Sequence, residues 1–582
     1  MTGHADSVNG YLAFYLQGKE AKLNYISEDA PKSIIIPATF TYEGKEYTVT
    51  EIGSEVCRMN TAIESVSIPA TVKIIGTKAF YECSKLKRVI LADGLKTIKD
   101  EAFACCNSLE TITLPSTLEN IGLAAFTRSG LYSLEIPQSV TSLGRNITLD
   151  CKNLSSLSVN PANKVFDSRN RCNAIIRTDL NILMEGCSNT KIPDGIVAIG
   201  PYAFAGAPGL KDIDIPESVR YIFDGAFAFC PLNKISIPKS VVLLDDNPFF
   251  GCSEVESITV QEGNPVYSSP QGCNAIVTNG NDISQKSRPE IAEILEYFNM
   301  GKYLYRKPAT LIQGCRNTVI PASAKTIGYG SFAFCNGLES IIIPESVTTV
   351  ESDAFLDCPD LNELIIPASV TDFHKSNYCP KLERIIVSKD NPVYDSRDNC
   401  NAIIETEDDN LIMGCMKTVI PATVKFIEAG AFEHVYGLKS VVIPNSVERI
   451  GPDAFRDCAG LESVSISKSV RYLGIQTWAQ DPDEKSQRNP FFFCPNLKQI
   501  TVHKRNPYFD SRNKCNAIIS KSTRTLIVGC SGTVEPESMS SIGPNAYTTL
   551  EEYVYKPDYL STEWLFYAGD LSDSYMAEDN DD

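Results

Sequence analysis

The chain has 582 residues, several times the size of one compact domain, so it is either multidomain or a repeat array. With 43% hydrophobic and 21% charged residues, the composition excludes a disordered chain. The sequence contains no run of 18 or more apolar residues, so no membrane-spanning helix is predicted. The net charge of −19, without a cluster of basic residues, argues against nucleic acid and anionic membranes as partners.

The two ends of the chain carry simple signals. The N-terminal residues MTGHADSVNG lack the basic region and the apolar core of a signal peptide, which predicts that this chain has no export signal. The acidic end, from Met576 to Asp582, predicts a short solvated tail.

An apolar pattern, L-x-x-I-x-I, recurs through the chain and is often followed by proline, with a step of 22 or 23 residues within a group. The alternation of its last apolar positions predicts a short strand with one buried face, and the proline ends pairing because it lacks an N–H. Each unit therefore contributes one strand to a parallel sheet. Fourteen units begin at Ile63, Leu86, Leu109, Leu131, Leu154, Leu210, Leu232, Val255, Leu338, Leu361, Leu382, Leu438, Leu461 and Leu497.

An I-G-x-x-A-F segment follows many of these strands. Glycine suits a tight turn there, and the Ala-Phe pair is expected to point into the core on the returning side of the coil. One coil cannot bury its own apolar residues, so stability must come from the stacking of neighbours. We expect a stacked aromatic row formed by Phe80, Phe103, Phe126, Phe204, Phe227, Phe332, Phe355, Phe432 and Phe455.

The combination of L-x-x-I-x-I-P, I-G-x-x-A-F and a following Cys resembles the BspA-like, or Treponema-type, leucine-rich repeats. The resemblance implies a repeat solenoid, a right-handed leucine-rich-repeat coil over residues 57–545 with a parallel β-sheet on one face. Residues 1–56, with FTYEGKEYTVTEIG, look like the N-terminal strand cap of such proteins, and 546–582 would form a C-terminal cap and acidic tail. The family also implies a bacterial or protist surface protein that binds proteins of a host or a neighbouring cell.

Four related blocks interrupt the coils, at 160–193, 264–321, 391–421 and 506–536. In the first block, residues Asn173 to Arg177 and Ile182 to Gly186 have the composition of two strands joined by a turn near Asp179. The blocks therefore predict β-hairpins interspersed among the coils.

Eight of the twenty cysteines belong to these hairpins. A symmetric hairpin would place the two cysteines of a block opposite each other, although such pairs reach bonding distance only in a strained geometry. Disulfide bonds and free thiols both stay open, and with them the redox compartment. The candidate pairs are Cys172 with Cys187, Cys273 with Cys315, Cys400 with Cys415, and Cys515 with Cys530.

Ten further cysteines recur at one position of successive coils. The sequence has no C-x-x-C pair and few histidines, so zinc binding is disfavoured and packing as small buried hydrophobic residues is the better interpretation. These cysteines are Cys83, Cys106, Cys151, Cys230, Cys252, Cys335, Cys358, Cys379, Cys458 and Cys494.

The second block contains an insertion at 279–310 with a helical pattern in RPEIAEILEYFNMGK. Its apolar residues Ile291, Ile294, Leu295 and Phe298 fall at i, i+3, i+4 and i+7 and form one stripe. We predict that this helix folds back towards Ile342, Ile365 and Ile386 of the following coils, which are expected to be exposed, or shares a partner site with them. The alternative is that it packs on the side of its own coils.

The sequence carries no motif for phosphate, dinucleotide, nucleophile or zinc-protease chemistry. Its four histidines stand apart from one another, so no catalytic, cofactor-binding or metal-binding residue is predicted. Asp-Ser-Arg triplets begin at Asp167, Asp395 and Asp510, and local turns explain them better than a repeated charged site.

Residues between the apolar positions of each strand point away from the core, onto the sheet face. This face is polar to acidic in the first half of the chain but carries apolar residues from the unit at Leu338 onward. These residues either follow strand preference or form a contact surface, since monomers seldom expose a long apolar patch. The candidate partner-binding residues are Ile342, Ile365, Arg384, Ile386 and Val442.

These observations predict a non-enzymatic, protein-binding leucine-rich-repeat protein, an adhesin-like protein of the cell surface that acts as a monomer without a cofactor. Its partner would be a surface or matrix protein of a host or neighbouring cell, with neither nucleic acid nor membrane insertion involved. The alternative is a cytoplasmic protein, an intracellular scaffold that organises protein partners in a reducing compartment.

Overall fold

The computed structural model describes residues 2–8, 10–279, 292–298, 309–375, 379–474 and 489–547. These residues form a leucine-rich-repeat solenoid of short strands, with one α-helix in the described part, Ala292–Tyr297. This architecture confirms the predicted fold class. Much of the insertion predicted at 279–310, and residues 548–582 of the predicted C-terminal cap and tail, lie outside the described residues.

The N-terminal strands form a sheet that continues into the solenoid. Thr2–Val8, Leu12–Gln17 and Glu20–Ile26 pair antiparallel in chain order. Glu20–Ile26 then pairs in parallel with Lys45–Ile52, which also pairs antiparallel with Thr39–Tyr42. Because Lys45–Ile52 pairs in turn with the next coil, this sheet covers the edge that an open solenoid would leave exposed.

The L-x-x-I-x-I units form a first ladder of parallel strands, as predicted. Their inward-facing apolar residues are buried in the core. The units that begin at Leu109 and Leu210 occupy the corresponding part of their coils but do not form strands. The strands of this ladder are Ser33–Ile35, Ser65–Ile68, Arg88–Leu91, Ser133–Ile136, Ser156–Val159, Lys234–Ile237, Ser257–Val260, Ser340–Ile342, Glu363–Ile366, Arg384–Val387, Ser440–Val442, Ser463–Ile466 and Gln499–Val502.

A second ladder, which the sequence pattern did not predict, runs along the return side of the coils. Each coil contributes a two-residue strand around the isoleucine of the I-G-x-x-A-F segment, and neighbouring coils pair in parallel. These strands are Ile74–Ile75, Thr97–Ile98, Asn120–Ile121, Ser142–Leu143, Ala198–Ile199, Tyr221–Ile222, Leu243–Leu244, Thr326–Ile327, Thr349–Val350, Asp372–Phe373, Phe426–Ile427, Arg449–Ile450, Tyr472–Leu473 and Ser541–Ile542.

Each hairpin block contributes three antiparallel strands, the last of which pairs in parallel with the second ladder. On the side of the first ladder, each block inserts a turn between successive coils. These turns interrupt the ladder and divide it into separate groups of coils. The block strands are Phe166–Asp167, Ala174–Arg177 and Ile182–Gly186; Tyr267–Ser268, Ile276–Thr278 and Thr310–Gln313; Tyr394–Asp395, Ala402–Glu405 and Asn410–Gly414; Phe509–Asp510, Ile518–Ser520 and Thr525–Val528.

The phenylalanines of successive coils stack in the core, as predicted. The rings of Phe80 and Phe103 lie 5.3 Å apart and nearly parallel, and those of Phe432 and Phe455 lie 4.8 Å apart. Similar stacking occurs between Phe204 and its neighbour Phe227, at 5.1 Å. Offset stacking of this kind adds to the free energy gained by burying the rings.

Nine of the ten cysteines beside this row donate hydrogen bonds, and all of these but the half-buried Cys379 are buried. Cys358, for example, donates from Sγ to the carbonyl oxygen of Phe332 in the preceding coil, 3.1 Å away. The thiol hydrogen is therefore part of the contact between coils. Bonds of 3.0–3.2 Å to the coil before are made by Cys83, Cys106, Cys151, Cys230, Cys252, Cys358, Cys379, Cys458 and Cys494.

A β-bulge in each hairpin overturns the symmetric pairing expected from the sequence. Near the turn of the first hairpin Ile176 faces Leu183, but the next pair is Ile175 with Glu185, so Met184 is an extra residue. The same shift occurs in the other three hairpins. A shift of one residue turns the later side chains to the opposite face of the pairing.

The two cysteines of each hairpin therefore do not face each other. Cys187 donates from Sγ to the carbonyl oxygen of Asn173 at 3.5 Å and packs with the coils before the hairpin. Cys172 packs with the coils that follow, and the other candidate pairs are divided in the same way between neighbouring cores. All twenty cysteines are free thiols in this structure. The opposite placement is wrong, and disulfide formation in the native compartment stays a prediction that this geometry does not favour.

The helix of the insertion packs on the second ladder. The ring of Phe298 lies 5.4 Å from that of Phe223, and the Arg177 guanidinium lies 4.3 Å from the centre of the Tyr297 ring. Buried Phe223 and Tyr221 occupy positions that are glycine or polar in most other coils, so they offer the helix nearby apolar cover. The prediction that the helix folds back towards the exposed isoleucines is wrong, and the alternative of packing on the side of the coils is confirmed. A partner site shared with the isoleucines stays a prediction.

Candidate protein-binding surface

Three isoleucines lie side by side on the outer face of the first ladder. The register pairs Ile342 with Ile365 and Ile365 with Ile386. Ile342 is 81% exposed, Ile365 is 40% exposed, and Ile386 is half-buried. Their exposure follows from strand alternation, because the neighbours Ile341 and Leu364 point inward and are buried.

A fourth residue, Val319, stands at the same pattern position as Ile342, 23 residues earlier and one coil before it along the chain. It lies in the segment with which the second hairpin block returns to the solenoid, and its N–H donates to the carbonyl oxygen of Cys273 at 3.0 Å. The side chain is 65% exposed. The pattern search missed it because Cys315 stands where the repeat normally has leucine. We call Val319, Ile342, Ile365 and Ile386 the apolar strip.

The apolar strip ends at the turn of the third hairpin block. Ser396 Oγ accepts the N–H of Val387 at 3.2 Å and donates to the carbonyl oxygen of Ala402 at 2.6 Å. This turn separates the strip from Val442, which is 71% exposed. Val419, at the same pattern position of the coil before Val442, is exposed to a similar extent. The structure therefore brings together Ile342, Ile365, Arg384 and Ile386 of the predicted residues and places Val442 on a separate strand, in register with Ser465.

A polar row borders the apolar strip along the same strands. Ser340, Glu363 and Arg384 lie in register, and an Arg384 guanidinium nitrogen lies 2.8 Å from a Glu363 carboxylate oxygen. Exposed ion pairs of this kind add little stability, so this pair serves mainly to fix the orientation of two charged side chains. On the other border, Pro344 and Pro367 end the strands and leave no N–H to bond.

Exposed isoleucines also stand at the pattern position of the apolar strip in the first group of coils, but Ile35 and Ile90 are separated there by Ser67, whereas the apolar strip runs through four successive coils. In the preceding group the same pattern position is occupied by polar residues, and Ser236 and Thr259 there are exposed in register with each other. Strand preference alone would act in both groups. The unbroken succession of four apolar residues therefore favours a contact surface over a general tolerance of β-branched residues.

The Asp-Ser-Arg triplets form local turns, as predicted. Arg397 N–H donates to Asp395 Oδ1 at 2.9 Å, and its guanidinium lies 2.6 Å from Asp395 Oδ2 and from Asp409 Oδ1. The hydrogen bond with Asp395 raises the pKa of Arg397 above its usual value. These charges are satisfied within the block and hold its turn in place.

One histidine is less isolated than the sequence suggested. His434 is buried, with Nδ1 2.8 Å from Asp457 Oδ2 and Nε2 3.4 Å from Glu433 Oε1. Although burial acts in the opposite direction, its hydrogen bonds with Asp457 and Glu433 raise the pKa of the imidazole. Among the described residues, no group of three or more His, Cys, Asp and Glu side chains is placed to hold a metal ion.

The repeats match a known family in sequence as well as in form. The model of the BspA type leucine rich repeat region matches six copies, over residues 50–172, 184–272, 312–400 and 413–515, which is more than half of the chain. The chain belongs to this family. Within the part that the structure describes, no helix of this BspA-type protein is long and apolar enough to cross a bilayer.

Solved leucine-rich repeat structures resemble the BspA-type chain at low identity. One from Bacteroides ovatus is 21% identical, with 86% of this chain and 95% of that chain covered and a TM-score of 0.31. A leucine rich cell surface protein from Faecalibacterium prausnitzii is also 21% identical, with 86% and 94% covered and a TM-score of 0.34. The leucine-rich repeat protein of T. pallidum is 24% identical, with 38% and 86% covered and a TM-score of 0.27. No curated protein matches the chain.

Proposed function

We propose that this BspA-type protein is a non-enzymatic protein-binding protein of the cell surface, adhesin-like in its action. The observation that carries the proposal is the apolar strip, four β-branched residues in consecutive coils, with Ile342 81% exposed. A partner that covers these side chains removes apolar area from water, which is the main driving force of protein association.

The rigidity of the apolar strip suits it for binding. Ile and Val have one dominant side-chain rotamer in many settings, and the paired strands fix the backbone beneath them, so little entropy is lost when a partner binds. Arg384 lies at the edge, and arginine is one of the residues that most often contribute strongly to protein interfaces. Exposed Val419 and Val442, at the same pattern position of two later coils, offer a second, smaller contact area.

Two lines of support favour the cell surface. BspA-like repeats are found in surface proteins, and one structural relative is described as a leucine rich cell surface protein. The partner would then be a surface or matrix protein of a host or neighbouring cell.

The thiols favour a second candidate, an intracellular scaffold that organises protein partners. Nine cysteines, among them Cys358, donate S–H hydrogen bonds to the coil before them, and these bonds require reduced thiols. A reducing compartment keeps them in that state. Labelling intact native cells with a membrane-impermeant reagent separates the two candidates, because only a surface protein is labelled.

Binding to cells tests the proposal with matched variants. The labelled full chain is added to cultured host cells and to bacterial cells, with and without protease treatment of the cell surface. Ile342→Lys should weaken binding at least tenfold, which corresponds to about 1.4 kcal/mol. Ser236→Lys, which introduces the same residue at the same pattern position in a polar group of coils, should have no effect. Equal binding by the two variants, or binding that survives protease treatment, contradicts the proposal.

A further inference from the structure

The apolar strip is self-complementary under a two-fold rotation. Its midpoint lies between Ile342 and Ile365, which are in register, with Ile386 in register one coil beyond Ile365 and Val319, by its repeat position, one coil before Ile342. We propose that the occupant of the strip is a second copy of this chain, packed face to face, with strands pointing the same way and coils stacked in opposite order. This inference rests on the proposed function, since it names the partner of the same surface.

The rotation places apolar side chains against apolar side chains throughout. Ile342 meets Ile365 of the second copy, and Val319 meets Ile386 of the second copy. Each contact occurs twice, as in any interface in which two copies use the same patch. The two most exposed members of the strip, Ile342 and Val319, are thereby covered by the two least exposed.

The polar border is compatible with the same arrangement. In the row that includes Ser340, Glu363 and Arg384, the rotation sets the Glu363 carboxylate opposite the Ser340 hydroxyl of the second copy. It sets the Arg384 guanidinium opposite Asn317, which holds the same pattern position beside Val319. Hydrogen-bond donors therefore meet acceptors across the interface.

The next row outward carries opposite charges at matching distances from the midpoint. Arg316 lies one residue before Asn317 and is paired with Glu256. Glu383 lies one residue before Arg384 and is paired with Lys417. The rotation sets Arg316 opposite Glu383 of the second copy, so no like charges meet, which is the condition for specific association.

The size of the strip predicts weak association. Four strands about 4.8 Å apart and five residues long at about 3.3 Å per residue cover roughly 300 Å² on each copy. Stable interfaces bury about 800 Å² per partner, so this contact belongs to the transient class. Many copies on one surface would strengthen it through avidity. The proposed dimer differs from the monomer expected from the sequence, and the oligomeric state of the chain decides between them.

Sedimentation velocity of the full chain tests the proposal, with concentrations reaching about 1 mM, so that association with a dissociation constant of that order is detected. The wild-type chain should self-associate, and Ile342→Lys and Ile365→Glu should each weaken association at least tenfold. An equimolar mixture of the two variants should associate again, because Lys at 342 of one copy then meets Glu at 365 of the other. Ser236→Lys is the control and should associate like the wild type.

Three results would overturn the proposal: a wild-type chain that stays monomeric, association that Ile342→Lys leaves unchanged, or variants that the mixture does not restore. The test is independent of binding to other proteins. Loss of cell binding in Ile342→Lys together with a monomeric wild type would reject the second copy as the occupant while leaving the proposed function standing.

Discussion

Asn391 fastens the third hairpin block to the coil before it by donating from Nδ2 to the carbonyl oxygen of Val370, 2.8 Å away. Its Oδ1 accepts the N–H groups of Val393 and Tyr394 at 2.9 and 2.8 Å. The connection between the block and the preceding coil, which we call the joint, requires a side chain that both donates and accepts hydrogen bonds. The neutral amide of asparagine does both. The equivalent asparagines of the other blocks are Asn163, Asn264 and Asn506.

Replacing Asn391 should loosen this joint. In Asn391→Ala the buried N–H groups of Val393 and Tyr394 lose their acceptor, at a cost of about 1–3 kcal/mol of local stability. Hydrogen exchange at these two amides should accelerate accordingly. Asn391→Asp keeps the acceptor and loses the donor, so its effect on the two amides should be smaller. Unchanged exchange in Asn391→Ala would show that the joint does not depend on this side chain.

The buried carboxyl of Glu185 should make stability depend on pH. Its Oε1 accepts the N–H of Ile147 at 2.9 Å and its Oε2 accepts the hydroxyl of Thr148 at 3.0 Å, but burial dominates and raises its pKa to about 7. The folded chain therefore holds this proton more tightly than the unfolded chain between about pH 4.5 and 7. Stability from this group is fully present below that window and is lost as pH rises through it, by about 3 kcal/mol.

Glu185→Gln isolates this effect. The amide keeps the shape and does not ionise, so the difference in melting temperature between variant and wild type should grow in favour of the variant as pH rises from about 4.5 to 7. Scanning calorimetry or fluorescence melting in a pH series measures it. A difference that does not change with pH would contradict a raised pKa at Glu185.

The number of free thiols can be measured directly. Because the bulge directs Cys172 and Cys187 into different cores, we expect twenty free thiols when protein from its native compartment is unfolded without reductant. Ellman titration with alkylation and mass spectrometry makes this measurement. A peptide that links Cys172 to Cys187 would show that the register at the hairpin base differs from the one described.

The repeat itself was predictable because its signal is local and recurs many times. The second ladder was not, since a strand of two residues such as Thr97–Ile98 is too short to show a period. The bulge at Met184 was also hidden, because its extra residue is an apolar residue within an apolar strand and leaves no mark on composition.

The candidate surface was predictable in part. Strand alternation placed Ile342, Ile365 and Ile386 correctly on the outer face, but Val319 was missed because a cysteine replaces the leucine that begins its unit. A search keyed to the terminal apolar residue and proline would have found it. The position of the helix was also marked in advance, by Phe223 at a place where other coils have a small or polar residue.

Shortening Phe298 tests the position of the helix. Phe298→Ala should remove the contact with Phe223 and accelerate hydrogen exchange at Tyr221 and Ile222 of the second ladder. Exchange at Ile341, beneath the apolar strip, should stay as in the wild type. Acceleration at Ile341 with none at Ile222 would instead support a helix that folds back over the strip.

The central claim is that the apolar strip is the protein contact surface, and photo-crosslinking measures it most directly. A photo-reactive amino acid is placed at position 342 of the full chain, and in a matched protein at position 236, before binding to cells or to a second copy. We predict adducts from position 342, to a partner protein or to the second copy, and none above background from position 236. Adducts from position 236 with none from position 342 would contradict the account.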